Sequence, residues 1–281
     1  MKKIATILAV TTLAASAFAG NITVKGSDTL LVLAQKWAET YMGSHADVKI
    51  SVSGGGTGTG FAALQNQTTD LCDASRKIKP EEQRKCQAVF ENGKRPTEYK
   101  VALDGLSVYV NPENSLKELS LAQVSDIFTG KIKNWKDVGG PDAPITVYSR
   151  ENSSGTYEFF KEHVLKGKDF AASAQTMPGT AAIVQAVVKD KNSIGYGGAA
   201  YGGGSKLLAI KKTEDSPAIS PTEETVMNGT YPIWRHLYIY VNPAQDKGEI
   251  AAYLNWIRSE DGQKYVKDVG YYPLPKALRS N

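Results

Sequence analysis

Residues 21–42 read NITVKGSDTLLVLAQKWAETYM, and the change of period inside this run sets the fold class. Ile22 and Val24 alternate with polar neighbours, which predicts a short strand. Leu30, Leu33, Ala34, Trp37, Ala38 and Tyr41 then recur at helical spacing, so the following helix has one apolar face. In the small polar turn between them, Ser27 or Asp28 is the expected N-cap, because a side-chain oxygen there satisfies orphan amides of the first turn. The pattern returns at residues 47–65, DVKISVSGGGTGTGFAALQ. Val48, Ile50 and Val52 share a strand face, a glycine-threonine turn follows, and a helix begins. Strand, turn and helix repeated in this way predict an α/β domain with parallel strands.

Further along, Pro80 suits the first position of a charged helix. Residues 99–114, YKVALDGLSVYVNPEN, read as a long strand broken at Asp104-Gly105. Residues 231–245, YPIWRHLYIYVNPAQ, give a similar apolar strand that also ends in Val-Asn-Pro. Two such strands bracketing a middle block suit a two-lobed protein with two crossovers. Residues 249–275 read as two helices that pack back on the first lobe. The expected division is 20–104 plus 238–281 for lobe 1 and 105–237 for lobe 2.

The first 19 residues are expected to be removed. Lys2 and Lys3 precede an apolar run, and Ala17-Phe18-Ala19 has the small-x-small pattern of a signal-peptidase site. The run is shorter than the roughly 20 residues that span a bilayer, so an exported, periplasmic protein is expected. Without that leader, 31 basic residues face 29 acidic ones. The cations are scattered among acids, which argues against a nucleic-acid partner. Cys72 and Cys86 are the only cysteines, and in an oxidising compartment an even pair reads as a disulfide. Two buried thiols or a metal pair are the alternatives. None of the three histidines (His45, His163, His236) lies near the cysteines in sequence, so zinc is disfavoured.

Three helix openings share one chemistry. Ser27-Asp28-Thr29 precedes the first helix, Thr57-Gly58-Thr59-Gly60 the second, and Ser153-Ser154-Gly155-Thr156 a third, with Arg150 just upstream. A helix N-terminus presents unpaired N–H groups and partial positive charge, so it receives anions. Each opening alone reads as capping. Together, two in one lobe and one in the other, they line the crevice where ligands of open α/β sheets bind. Arg150 adds a permanent cation with a planar fork, and Arg76 is a second candidate cation; a surface ion pair or a solvated charge is the plainer role for each. Hydrogen bonds to a charged group contribute roughly 1.5–3 kcal/mol each, so a micromolar anion complex at about −8 kcal/mol net of desolvation calls for many donors.

Rival motifs fail on their residues. Phe61 and Ala62 stand where a P-loop needs lysine and Ser/Thr. Thr59 or Phe61 replaces the last glycine of GxGxxG, and Ser154 lies in N-S-S-G-T rather than G-x-S-x-G. His163 sits two turns into the helix that Ser154 would cap. No catalysis, cofactor or metal is expected, though a secreted hydrolase and a sugar receptor using Tyr196 and Tyr201 as aromatic platforms are rivals to weigh.

In this order, GSDT, GGGTGTG, ASR, DIFTGKIKNW, SRENSSGTYEFF and SIGYGG resemble the periplasmic phosphate-binding proteins of ABC transporters over nearly the whole exported chain. The resemblance implies a type II periplasmic-binding fold, an α/β architecture of two lobes joined by two crossover strands. It implies a monomeric receptor that closes on inorganic phosphate and delivers it to a membrane permease. Arg150, Ser154, Gly155 and Thr156 match the second-lobe phosphate clamp, and Thr29 with Leu30 the first-loop contacts. Thr57 stands where the family often has serine. The expected ligand set is Ser27, Asp28, Thr29, Leu30, Thr57, Gly58, Thr59, Ser75, Arg76, Arg150, Ser154, Gly155 and Thr156. Arg76 departs from the best-known pattern, in which Asp follows Ala-Ser and accepts a hydrogen bond from protonated phosphate. Asp28 is then the candidate acceptor and Glu151 the reserve. Without a carboxylate acceptor, sulfate, molybdate or tungstate becomes the alternative ligand. Under the same resemblance, a Cys72–Cys86 bridge would restrain the loop that carries Ser75 and Arg76.

Overall fold

The computed structural model describes residues 20–279; the leader expected at 1–19 lies outside them. The first repeat forms β1 (Asn21–Gly26), with alternating exposed and buried residues, and α1 (Leu31–Ser44), which buries Leu33, Ala34, Trp37, Ala38 and Tyr41. The start of α1 corrects the expectation. Neither Ser27 nor Asp28 caps it; Leu30 is the N-cap and makes no side-chain bond. The backbone oxygens of Ser27 and Asp28 accept from the Leu30 and Leu31 N–H groups instead. With the turn closed by backbone, the Asp28 carboxylate and the Thr29 hydroxyl point to other partners.

The chain continues through β2 (Lys49–Ser53), α2 (Thr57–Gln65), β3 (Leu71–Ala74), α3 (Pro80–Val89) and β4 (Thr97–Val110). The middle block holds β5 (Glu118–Ser120), α4 (Leu121–Phe128), β6 (Thr146–Arg150), α5 (Gly155–His163), β7 (Gln175–Met177), α6 (Thr180–Lys189), β8 (Ser193–Gly198), β9 (Lys206–Leu207), β10 (Ala209–Lys211), β11 (Ala218–Ile219) and α7 (Glu223–Met227). Then come β12 (Trp234–Val241), α8 (Gly248–Arg258) and α9 (Glu260–Val269).

The main sheet runs β2-β1-β3-β12-β4-β8-β6-β7, with β9 also paired to β4, and a small sheet runs β11-β10-β5. The pairs β1/β2, β1/β3, β6/β8 and β6/β7 are parallel, as the strand-turn-helix grammar requires. β4 and β12 are the crossing strands. β4 does not break at Asp104-Gly105 as expected; what changes there is its partner. Residues up to Gly105 pair with β12, and Leu106 to Val110 pair with β8. One 14-residue strand therefore serves both halves of the molecule.

Two cores flank this changeover. The first joins Ile22, Trp37, Leu71 and Val101 to Leu237, Tyr253 and Ile257, so α8 and α9 pack back as read; the Trp37 indole also donates to the Gly262 carbonyl at 2.8 Å. The second gathers Leu106, Val108, Phe128, Trp135, Phe160 and Ile194, and takes Leu274 from the C-terminal tail. Each large side chain buried this way contributes about 1.5–3 kcal/mol.

The expected disulfide is not formed. Cys72 on β3 and Cys86 on α3 are free and buried, in a third cluster with Phe61, Leu64, Phe90 and Tyr240. Burial pushes the Cys86 thiol up to about 11 and the Cys72 thiol well above its ordinary value. The thiolate that disulfide exchange requires is suppressed, and both residues act as small apolar packing groups. Among the described residues no helix is long and apolar enough to cross a membrane.

Candidate functional site

The three helix openings meet at the changeover between the crossing strands. α1 begins beside Thr29, α2 at Thr57, and the turn after β3 supplies Ser75. From the other side, β6 leads into α5, whose N-cap is Ser154, with Gly155 and Thr156 in the first turn. Ser154 accepts from the Tyr157 N–H at 3.2 Å, so its hydroxyl caps.

The hydroxyls of Thr29, Thr57, Ser75 and Thr156, all buried, form one chain. Thr156 Oγ1 lies 2.7 Å from Thr29 Oγ1 and 3.5 Å from Ser75 Oγ, and Ser75 Oγ lies 3.3 Å from Thr57 Oγ1. Gly155 is required here: a Cβ on it would sit 2.4 Å from Thr57 Oγ1 and 2.7 Å from Ser75 Oγ. At α2 the Gly58 N–H donates to the Ser153 carbonyl across the cleft at 2.9 Å. That opening already holds an oxygen acceptor, as a helix N-terminus favours. Gly56, at φ +94, lets this approach happen, since a Cβ there would stand 2.5 Å from the same carbonyl.

The remaining expected residues surround this hub without touching it. Leu30 is fully buried in the first core, the Ser27 N–H donates to the Asp73 carbonyl at 2.9 Å, and Thr59 Oγ1 donates to the Gly56 carbonyl at 2.7 Å. Arg150 is 2% exposed and lies between two carboxylates. It donates to Asp28 Oδ2 at 2.7 Å, to both oxygens of Glu151 at 2.7 and 3.0 Å, and to Thr180 Oγ1 at 2.9 Å. Burial by itself would raise the Glu151 carboxyl, but the Arg150 hydrogen bond and charge hold it below its usual range. Asp28 also accepts from the Gly55 N–H at 2.9 Å. Both candidate acceptors are thus turned to Arg150, and among the described residues no carboxylate bonds to any of the four hydroxyls.

Arg76 faces the rim. It forms a bidentate pair with Glu82 at 2.7 and 2.8 Å and meets Glu158 of α5 at 2.5 Å, while Lys79 reaches Glu158 at 2.6 Å. Tyr196 is stacked in the second core against Phe160, 4.0 Å between centroids, and bonds Ser149. Tyr201 donates to the Asp28 carbonyl at 2.7 Å. Neither ring forms an open platform for a sugar.

Sequence reasoning missed two residues. Asp104 on β4 and Arg235 on β12 are cross-strand partners in register. Asp104 Oδ2 accepts from Arg235 Nε and Nη2 at 2.9 and 2.8 Å, and its Oδ1 accepts from the Ala199 N–H at 3.2 Å. Arg235 also donates to the Ser75 carbonyl at 3.0 Å and, through Nη2, to Thr156 Oγ1 at 3.0 Å. The available signal was a charged residue beside an apolar run in each crossing strand, Asp104 after Val101-Ala102-Leu103 and Arg235 after Ile233-Trp234. Among the described residues no group of three or more His, Cys, Asp or Glu could hold a metal.

Residues 11–261 match a family model described as the PBP superfamily domain. The phosphate-binding protein PstS of Pseudomonas aeruginosa is 36% identical over 277 residues, covering 93% of this chain and 85% of that one. The protein of the same name from Staphylococcus epidermidis is 36% identical, over 92% of this chain and 80% of its own length. Among solved structures, a putative phosphate ABC transporter substrate-binding protein with bound phosphate from Clostridium perfringens superposes with a TM-score of 0.83 at 28% identity, covering 91% of this chain and all of its own. An ABC-type phosphate transport receptor from Vibrio cholerae gives 0.71 at 25% identity, with 90% and 100% covered.

Proposed function

This chain belongs to the PBP superfamily and, within it, to the PstS phosphate-binding proteins, and from that membership we propose that it captures inorganic phosphate between its lobes for an ABC-type permease. The observation that carries this reading is the convergence of Thr29, Thr57, Ser75 and Thr156 from both halves of the molecule on one buried point. Such a hub is rich in donors, and a tetrahedral anion can take one from each hydroxyl. The lobes are taken as residues 20–104 with 238–281, and 105–237. The partner change of β4 after Gly105 supports that boundary. Only the closed arrangement offers donors from both sides, so a ligand draws the population toward it. Residues 1–19 act as a cleaved export leader, and the monomeric receptor works in the periplasm without catalysing a reaction.

Phosphate reaches the hub through Thr29, Thr57, Ser75, Gly155 and Thr156, with the α2 and α5 N-termini behind them. A second reading, another tetrahedral oxyanion such as sulfate or molybdate, is favoured by one feature. Asp28 and Glu151 are engaged by Arg150 rather than poised to accept a proton from the ligand. Calorimetry of the purified protein against phosphate, sulfate and molybdate at two pH values tests both. Phosphate should bind in the micromolar range or tighter, and exclusive binding of sulfate or molybdate would replace this reading with the second.

A further inference from the structure

We infer that Arg235, held by Asp104, is the cation that contacts the bound anion, and that Arg150 instead locks the two lobes together. This rests on the reading of the hub as the phosphate site and assigns the charge that faces it.

The two arginines are equally hidden, at 2% and 4% exposure. Their nitrogens go to different places. Among the described residues, every hydrogen bond of Arg150 ends on Asp28, Glu151 or Thr180. Asp28 belongs to the α1 opening and Glu151 to the loop before α5, so this triad joins the lobes at one side of the hub and carries net negative charge. An anion gains nothing from such a neighbour.

Arg235 is placed differently. Its Nε and Nη2 share a single carboxylate oxygen of Asp104, which fixes the plane of the guanidinium. Nη1 is set by the Ser75 carbonyl, and the second Nη2 proton is aimed at Thr156 Oγ1. Thr156 Oγ1 is the same atom that meets Thr29 and Ser75. An anionic oxygen seated among these hydroxyls therefore lies within reach of a charged donor, which an uncharged hub would lack. The Phe159 ring, 5.2 Å from the guanidinium carbon, covers the other side. A groove of about 490 Å³ is lined by the Arg76–Pro80 segment and by residues of α5 and β12, Arg235 among them.

The location adds a second consequence. Asp104 stands one residue before the point where β4 changes partner. On the lobe boundaries proposed above, Asp104 belongs to lobe 1 and Arg235 to lobe 2, so the pair joins the two crossing strands where the lobes meet, with Ser75 reaching it from lobe 1 and Thr156 from lobe 2. Asp104 is a positioning residue: it orients Arg235 and has no contact with the hub hydroxyls.

Calorimetric titration of inorganic phosphate into wild type, R235K, R235Q, R150Q and the charge-neutral double variant D104N/R235Q tests the assignment, with urea melting of each in the absence of phosphate. R235Q should raise the phosphate Kd about 10–100-fold, the range expected for loss of one hydrogen bond to a charged group. R235K, which restores the charge without the fork, should recover part of that loss. R150Q should lose less than R235Q. Because R235Q leaves Asp104 buried and unpaired, it is liable to misfold. The double variant removes both charges, should melt near the wild-type urea concentration, and should still lose phosphate by a similar factor. Retention of wild-type affinity within threefold in the double variant, or a larger loss in R150Q than in R235Q, overturns the inference. Failure of the wild type to bind phosphate would overturn the functional reading instead.

Discussion

Arg150 and Arg235 are two buried arginines whose surroundings differ in number and kind. Arg150 has two carboxylates and a threonine; Arg235 has one carboxylate, a carbonyl and the hub itself. Excess negative charge turns the first into a clasp between lobes. A single counter-ion leaves the second with a donor turned to the hub, on Thr156 Oγ1. The lesson is that a cation inside a binding motif is not thereby the one that faces the ligand; its counter-ions decide.

The largest effect that would sharpen this comparison is on stability. Asp104→Ala strands Arg235 without a counter-ion, at a cost of about 3–5 kcal/mol, whereas Asp28→Ala leaves Arg150 with Glu151 and should cost about 1 kcal/mol. Urea denaturation of the two variants reads this directly, and equal losses would erase the distinction drawn between the arginines.

Asp73 supplies the case in which, among the described residues, no cation pairs with the carboxylate. It is 2% exposed, its Oδ1 has no hydrogen-bond partner among the described residues, and burial pushes its carboxyl up to about 8 from 3.8. Between those values the folded chain keeps a proton that the unfolded chain has released. Stability from this group is therefore fully present below about pH 4 and is lost as pH rises through 8. At about 1.4 kcal/mol per pH unit, the wild type should lose about 3 kcal/mol between pH 5 and 7 relative to Asp73→Asn. A stability difference between the two proteins that stays constant across this range would mean that Asp73 is already ionised in the fold.

A smaller effect is expected where the lobes touch without charge. Gly155→Ala would drive a methyl group into Thr57 and Ser75, overpacking the hub by about 1–2 kcal/mol and weakening phosphate about tenfold. Unfolding midpoints without ligand should move little, because the wedge is relieved when the lobes part. Affinity equal to wild type would show that the hub relaxes around the methyl. At the rim, Glu158→Gln removes the carboxylate shared by Arg76 and Lys79. Partly exposed pairs of this kind contribute below about 1 kcal/mol, so stopped-flow should record phosphate release only a few-fold faster. An unchanged rate would reduce that rim cluster to surface decoration.

Much of the fold was legible because its signals are local. The switch from period two to period 3.6 around Gly26 and again around Gly54 gives strand, turn and helix in the order found. Small residues at the helix openings identify the hub from both sides. What escaped depends on partners distant in sequence. The N-cap of α1 passed from Ser27 or Asp28 to backbone oxygens, since Asp28 found a stronger partner in Arg150, 122 residues away. The pairing of Asp104 with Arg235 spans 131 residues, and nothing near either one hints at the other. The two cysteines are close in sequence, yet each lies in an apolar cluster that favours the thiol.

Because β4 is one unbroken strand with Asp104 just before its change of partner, the proposed lobes would pivot on the same few atoms that would floor the proposed anion site. Rotation about this point needs no lever to transmit news of occupancy outward. A transporter gauging only the angle between the outer faces would already be reading the chemistry at the centre.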